Sequence, residues 1–66
     1  MLKVDSNKLI LARANIPMTV RELSKASGVA VSTISKIENG HCEPNLITIG
    51  KLAKALNIKV QDLLEN

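Results

Sequence analysis

The sequence predicts an all-α protein, a compact bundle of five short helices. Three observations point there: apolar residues recur at helical spacing, capping residues stand at the head of three of the apolar stripes, and Gly, Pro or Asn separates one stripe from the next. Its 66 residues allow one domain, 1–66. A domain of that size buries only about 60% of the surface its unfolded chain exposes.

Taken in order, Asp5 or Ser6 can cap a first helix in which Leu9, Ala12, Arg13 and Ile16 share a face before Pro17 stops it. Thr19 opens a second helix with the capping box TVRE, where Thr19 and Glu22 satisfy each other's exposed backbone donors. Gly28 ends it, because glycine takes the positive φ of a sharp reversal without a Cβ penalty, and helix resumes near Ala30. Asn39-Gly40 stops the third helix in the same way, and HCEP is a loop. Asn45 caps a fourth helix whose Leu46, Ile49, Leu52, Ala53 and Leu56 form the broadest apolar stripe, with Asn57 closing it. Gly50 inside that helix costs about 1 kcal/mol relative to alanine, for which a closely packed neighbouring helix is the expected compensation. Val60, Leu63 and Leu64 point to a brief fifth helix.

Composition removes several classes of function. Although 45% of the chain is apolar, it contains no Phe, Tyr or Trp, so it lacks the aromatic platforms that grip single-stranded nucleic acid. A formal charge of +3, from nine Lys and Arg against six Asp and Glu, tilts toward an anionic partner. Cys42 is the single cysteine, which rules out an internal disulfide and suits a reducing cytosol; with His41 it supplies too few ligands for a metal site. No apolar run reaches the roughly 20 residues that span a bilayer, and MLKVDSNK lacks the basic-then-apolar order of a signal peptide, so a cytoplasmic protein without membrane contact is expected. One His, one Cys, no Gly-rich phosphate loop and no base beside Ser35 argue against an enzyme, and no cofactor is expected.

The third helix has an unusual outer face. Ser32, Ser35, Lys36 and Asn39 fall at i, i+3, i+4 and i+7, a stripe of short polar side chains with one cation, where an ordinary solvent face carries long charges of alternating sign. Two other charges fall on apolar faces: Arg13 among Leu9, Ala12 and Ile16, and Glu38 beside Ile34 and Ile37. A buried charge is costly alone, so a salt bridge between Arg13 and Glu38 is expected; the alternative is that each reaches water at a helix edge.

The run from Thr19 to Gly40, TVRELSKASGVAVSTISKIENG, pairs two helices across a glycine-containing turn, the arrangement of a helix-turn-helix with its motif at about residues 19–38. With Glu22-Leu23-Ser24, Gly28-Val29, Ile34 to Gly40, Pro44 and Leu52 to Leu56, it resembles the phage-repressor-like, Cro-type helix-turn-helix family, also called the xenobiotic-response-element family, from about Leu9 to Leu64. The resemblance implies a lambda-repressor-like bundle of five helices whose third enters the DNA major groove. It implies that Val31, Ser32, Thr33, Ser35 and Lys36 read bases, with Lys36 donating to guanine or phosphate. It further places Thr19 and Val20 against the DNA backbone, and Asn39, Gly40 and His41 in a loop that meets phosphate through backbone N–H groups. The family usually carries a pair like Arg13 and Glu38. Ala30 stands where the family usually has a Ser or Thr cap, Val31 where a long polar reader is common, and Glu43 lowers the charge of a loop that is often basic.

The function expected from these residues is a sequence-specific regulator of transcription bound to double-stranded DNA, a repressor acting as a homodimer on a near-palindromic operator. Ile58, Val60, Leu63 and Leu64 are the candidate dimer interface, or else they finish the monomer core. No ligand-sensing domain is expected within the chain, so control would come from dimer concentration, a regulatory protein partner or proteolysis, or from another domain if the chain is a fragment of a larger regulator. The alternative is a protein-interaction adaptor or antitoxin-like partner on the same fold.

Overall fold

The computed structural model describes residues 3–65. Four α-helices follow one another, α1 (Ser6–Asn15), α2 (Val20–Ser27), α3 (Val31–Glu38) and α4 (Leu46–Ala55), and Val60–Leu63 form a single 3-10 turn. The fifth helix is therefore only a turn. Asn57 takes a left-handed φ of 57° to end α4, and Leu64 is already extended and bridged to Val4, which leaves room for no more.

The local signals act as their chemistry dictates. Asp5, rather than Ser6, caps α1: its carboxylate accepts from the N–H groups of Asn7 and Lys8 at 2.9 and 3.3 Å. Asn45 caps α4 through Thr48 N–H at 2.9 Å. Both α3 and α4 end with paired bonds back into the last turn: Gly40 N–H to Ile37 C=O and His41 N–H to Lys36 C=O, then Asn57 N–H to Lys54 C=O and Ile58 N–H to Ala53 C=O.

Packing runs α1 on α3, α3 on α2, α2 on α4, with the terminal turn against α4 and α1. The core where they meet is aliphatic throughout: Leu9, Leu23, Val29, Ile34, Ile37, Ile49, Leu52, Ala53, Leu56 and Leu63. Burying each large member contributes roughly 1.5–3 kcal/mol. Three expectations need correction. Ile16 is 40% exposed because α1 has ended at Asn15, and Leu46, the first residue of α4, is 57% exposed at the helix's free end. Gly50 has no close neighbour: a Cβ built there meets nothing within 4 Å.

The two ends of the described chain are tied together, which periodicity did not foretell. Val4 and Leu64 form an isolated antiparallel bridge, with Asp5 N–H donating to Leu63 C=O and Glu65 N–H to Lys3 C=O, both at 2.8 Å. Lys8 Nζ donates to the Leu64 carbonyl at 2.8 Å.

Candidate nucleic-acid interface

The pair α2 and α3 is set by its turn. Thr19 and Glu22 make the reciprocal box, Thr19 N–H to Glu22 Oε1 at 2.8 Å and Glu22 N–H to Thr19 Oγ1 at 3.1 Å. The Thr19 backbone N–H first, and the Thr19 side chain next, hold the exposed Glu22 carboxyl below its usual range by hydrogen bonding to it. Gly28 at φ 77° reverses the chain, while Ser27 Oγ donates to Leu23 C=O and accepts Val29 N–H, so only three residues separate α2 from α3.

The outer face of α3 is open. Val31, Ser32, Lys36 and Asn39 are exposed, Thr33 and Ser35 half-buried, while Ile34 and Ile37 fill the core. Ala30 supplies no side-chain cap, so the positive end of the helix has no acceptor from its own N-cap residue. Lys36 has no carboxylate partner among the described residues, and Glu43 in the following loop is drawn to Lys3 at 3.3 Å.

From behind, α1 fastens α3 at its C-terminal end. Arg13 grips Glu38 through a fork, Nε to Oε2 at 2.8 Å and Nη2 to Oε1 at 3.1 Å, while Nη1 donates to the Met18 carbonyl at 2.9 Å. The side chains keep 21% and 12% of their exposure. Near the other end of α1, Ser6 Oγ donates to Ile37 C=O at 2.8 Å, a contact for which the sequence held no signal beyond a capping-type residue.

Two expected roles change with the geometry. The N–H groups of Asn39, Gly40 and His41 all donate into the end of α3, to Ser35, Ile37 and Lys36 carbonyls, so none is left for phosphate; only the exposed side chains of Asn39 and His41 are available there, and Gly40 serves the turn at φ 75°. Leu63 is fully buried and closes the monomer core, with Ile58, Val60 and Leu64 half-buried against it. Thr19 is exposed and Val20 half-buried at the head of α2. Among the described residues no group of three His, Cys, Asp or Glu side chains gathers to hold a metal, and no helix is long and apolar enough to cross a membrane.

A family model described as helix-turn-helix matches residues 10–63. The chain belongs to the phage-repressor-like, Cro-type helix-turn-helix family. It is 39% identical over 57 residues to an uncharacterized helix-turn-helix transcriptional regulator of Methanocaldococcus jannaschii, covering 86% of each chain. It is 40% identical over 55 residues to another from Sinorhizobium fredii, of which it spans 28%. Among solved structures it superposes with a TM-score of 0.83 on the restriction-modification controller protein C.AhdI of Aeromonas hydrophila, at 28% identity and 86% coverage of both chains. A transcriptional regulator from Vibrio cholerae, at 23% identity and the same TM-score of 0.83, shares the fold. As a member of this helix-turn-helix family the protein is a DNA-binding transcriptional regulator.

Proposed function

We propose that this helix-turn-helix protein is a repressor that binds a near-palindromic operator in double-stranded DNA as a homodimer, with α3 in the major groove. The observation that carries this is the outer face of α3, open, short and polar, whose cation Lys36 has no carboxylate partner among the described residues, on a helix held from behind by Arg13 and Ser6. Short side chains let the helix approach base edges closely. Lys36 donates to guanine, Ser32, Thr33 and Ser35 offer hydroxyls, and Val31 gives apolar contact to a thymine methyl. Thr19 and Val20 at the head of α2, with the Asn39 and His41 side chains, lie along the phosphates.

Two copies on one face of the duplex place their α3 helices about 34–36 Å apart. Ile58, Val60 and Leu64 form the contact between copies, with Leu63 behind them. The work is done wherever the cell's DNA is, in the cytoplasm. Selection of bound sequences from a random duplex pool tests both parts together. Enriched sequences with two-fold symmetry are expected; absence of any enriched sequence refutes the reading, and an unsymmetrical winner refutes the dimer.

A further inference from the structure

The turn that closes α3 joins two residues that can react with each other. Of the six asparagines in the chain, Asn39 is the one followed by glycine; Asn7, Asn15, Asn45 and Asn57 precede the bulkier Lys8, Ile16, Leu46 and Ile58. With no Cβ beside it, the backbone nitrogen of Gly40 is open to approach. Asn39 is exposed, and its carboxamide has no hydrogen-bond partner among the described residues. Two features keep the pair apart. Asn39 lies at φ −89° and ψ 0°, which turns the Gly40 nitrogen away from the carboxamide carbon. The proton on that nitrogen is also engaged, donated to the Ile37 carbonyl at 3.1 Å, the same carbonyl that Ser6 Oγ meets at 2.8 Å. The next amide, that of His41, is tied to Lys36 C=O at 2.8 Å.

We propose that Asn39 is a self-modifying site, where the chain converts its own carboxamide to a carboxylate whenever the end of α3 opens. In the open turn the Gly40 nitrogen gives its proton to solvent base and attacks Asn39 Cγ. The bond from Cγ to the carboxamide nitrogen breaks, and that nitrogen leaves as ammonia. Water then opens the resulting cyclic imide at one of its two carbonyls, giving aspartate or its β-linked isomer. Water is consumed, ammonia is released, and nothing is oxidised or reduced. The rate is the intrinsic chemistry multiplied by the population of the open turn, so the bonds to Ile37 and Lys36 act as the gate. The change alters the end of α3. Formal charge falls by one, from +3 to +2, and the new carboxylate stands at the negative end of the helix beside Glu38. The β-linked product also adds a backbone atom where Gly40 and His41 bond back into the helix. On the reading that lays the Asn39 side chain along the phosphates, both products weaken operator binding, so the hold on DNA ages with the turn.

The test ages the 66-residue chain at mildly alkaline pH beside a synthetic peptide of residues 37–43, and follows conversion by mass and by fragmentation of the tryptic peptide Ile37–Lys51. Conversion at Asn39 but not at Asn45 of the same peptide is expected, to both products and faster at higher pH. In the folded chain it should run at least about tenfold slower than in the free peptide. Arg13→Ala, which loosens the hold on α3, should bring the rate toward that of the free peptide. Asn39→Ser, which has no carboxamide to lose there, should show no mass change in this segment. No preference for Asn39 over Asn45, a folded rate equal to the peptide's, or a rate in Arg13→Ala no faster than the parent's would overturn the proposal. The aged and unaged forms, separated by ion exchange, are then compared on operator duplex, where a loss of at least about tenfold is expected. Equal affinity would overturn the effect on DNA. Failure of the unaged chain to bind any duplex would instead strike the role given to α3, which the mass readout does not depend on.

Discussion

The guanidinium of Arg13 on α1 and the carboxylate of Glu38 at the end of α3 meet as a planar fork, with bonds of 2.8 and 3.1 Å, and the third guanidinium nitrogen is bound to the Met18 carbonyl. One side chain thus fixes α3, the first helix behind it, and the chain entering α2. Arg13→Ala should therefore cost roughly 3 kcal/mol, since it strands a mostly buried carboxylate. That approaches the roughly 3–5 kcal/mol a core of this size supplies. Arg13→Lys should recover little of the loss, because an ammonium cannot make the fork. Thermal melts of both variants check this; a melt of Arg13→Ala matching the parent would show the pair to be superficial.

Lys36→Glu should lower operator affinity by roughly a hundredfold or more, through a lost base contact and a new like-charge repulsion, with helical circular dichroism and melting nearly unchanged. Val31→Gln should alter which bases are selected and leave the salt dependence alone. Retained operator affinity in Lys36→Glu would remove α3 from the groove.

The same substitution should have opposite signs at two glycines. Gly50→Ala sits in ordinary helix with nothing within 4 Å of the new Cβ, so it should stabilise by about 1 kcal/mol and raise Tm by about 4–8 °C. Gly28→Ala also meets no atom, yet its φ of 77° should make it destabilising by about 1–2 kcal/mol. Differential scanning calorimetry of the two variants side by side measures both.

Acidification should weaken the start of α2. The folded Glu22 carboxyl is held below its usual range by Thr19, so its contribution is fully present above the ordinary glutamate pKa and is lost as pH falls through the lowered folded one. Glu22→Gln, with no charge to titrate, should show a shallower fall in Tm over that window. Identical slopes in parent and variant would leave the box without a pH role.

What was legible in the sequence was whatever is local. The Thr19 box, the Gly28 reversal and the stops at Gly40 and Asn57 are each written in a few consecutive residues, and the Arg13 and Glu38 pair announced itself as two charges on apolar faces. Helical periodicity failed at element ends, where Ile16 and Leu46 continue a stripe that the packing no longer covers. It also failed where two residues pair across nearly the whole chain, since a single bridge between Val4 and Leu64 has no period. After α3, the sequence could place Gly40 and His41 in a loop but not reveal that their N–H groups were already occupied.

Asp5 is a hinge pin shared by both extremities. Its carboxylate secures the first turn of α1 while its own amide holds Leu63, the residue that plugs the floor of the core. Peeling back the leading segment therefore frays α1 and unseats Leu63 in one motion. What looks on paper like a dispensable overhang is a clasp, and an affinity handle attached ahead of it needs a spacer long enough to leave that clasp shut.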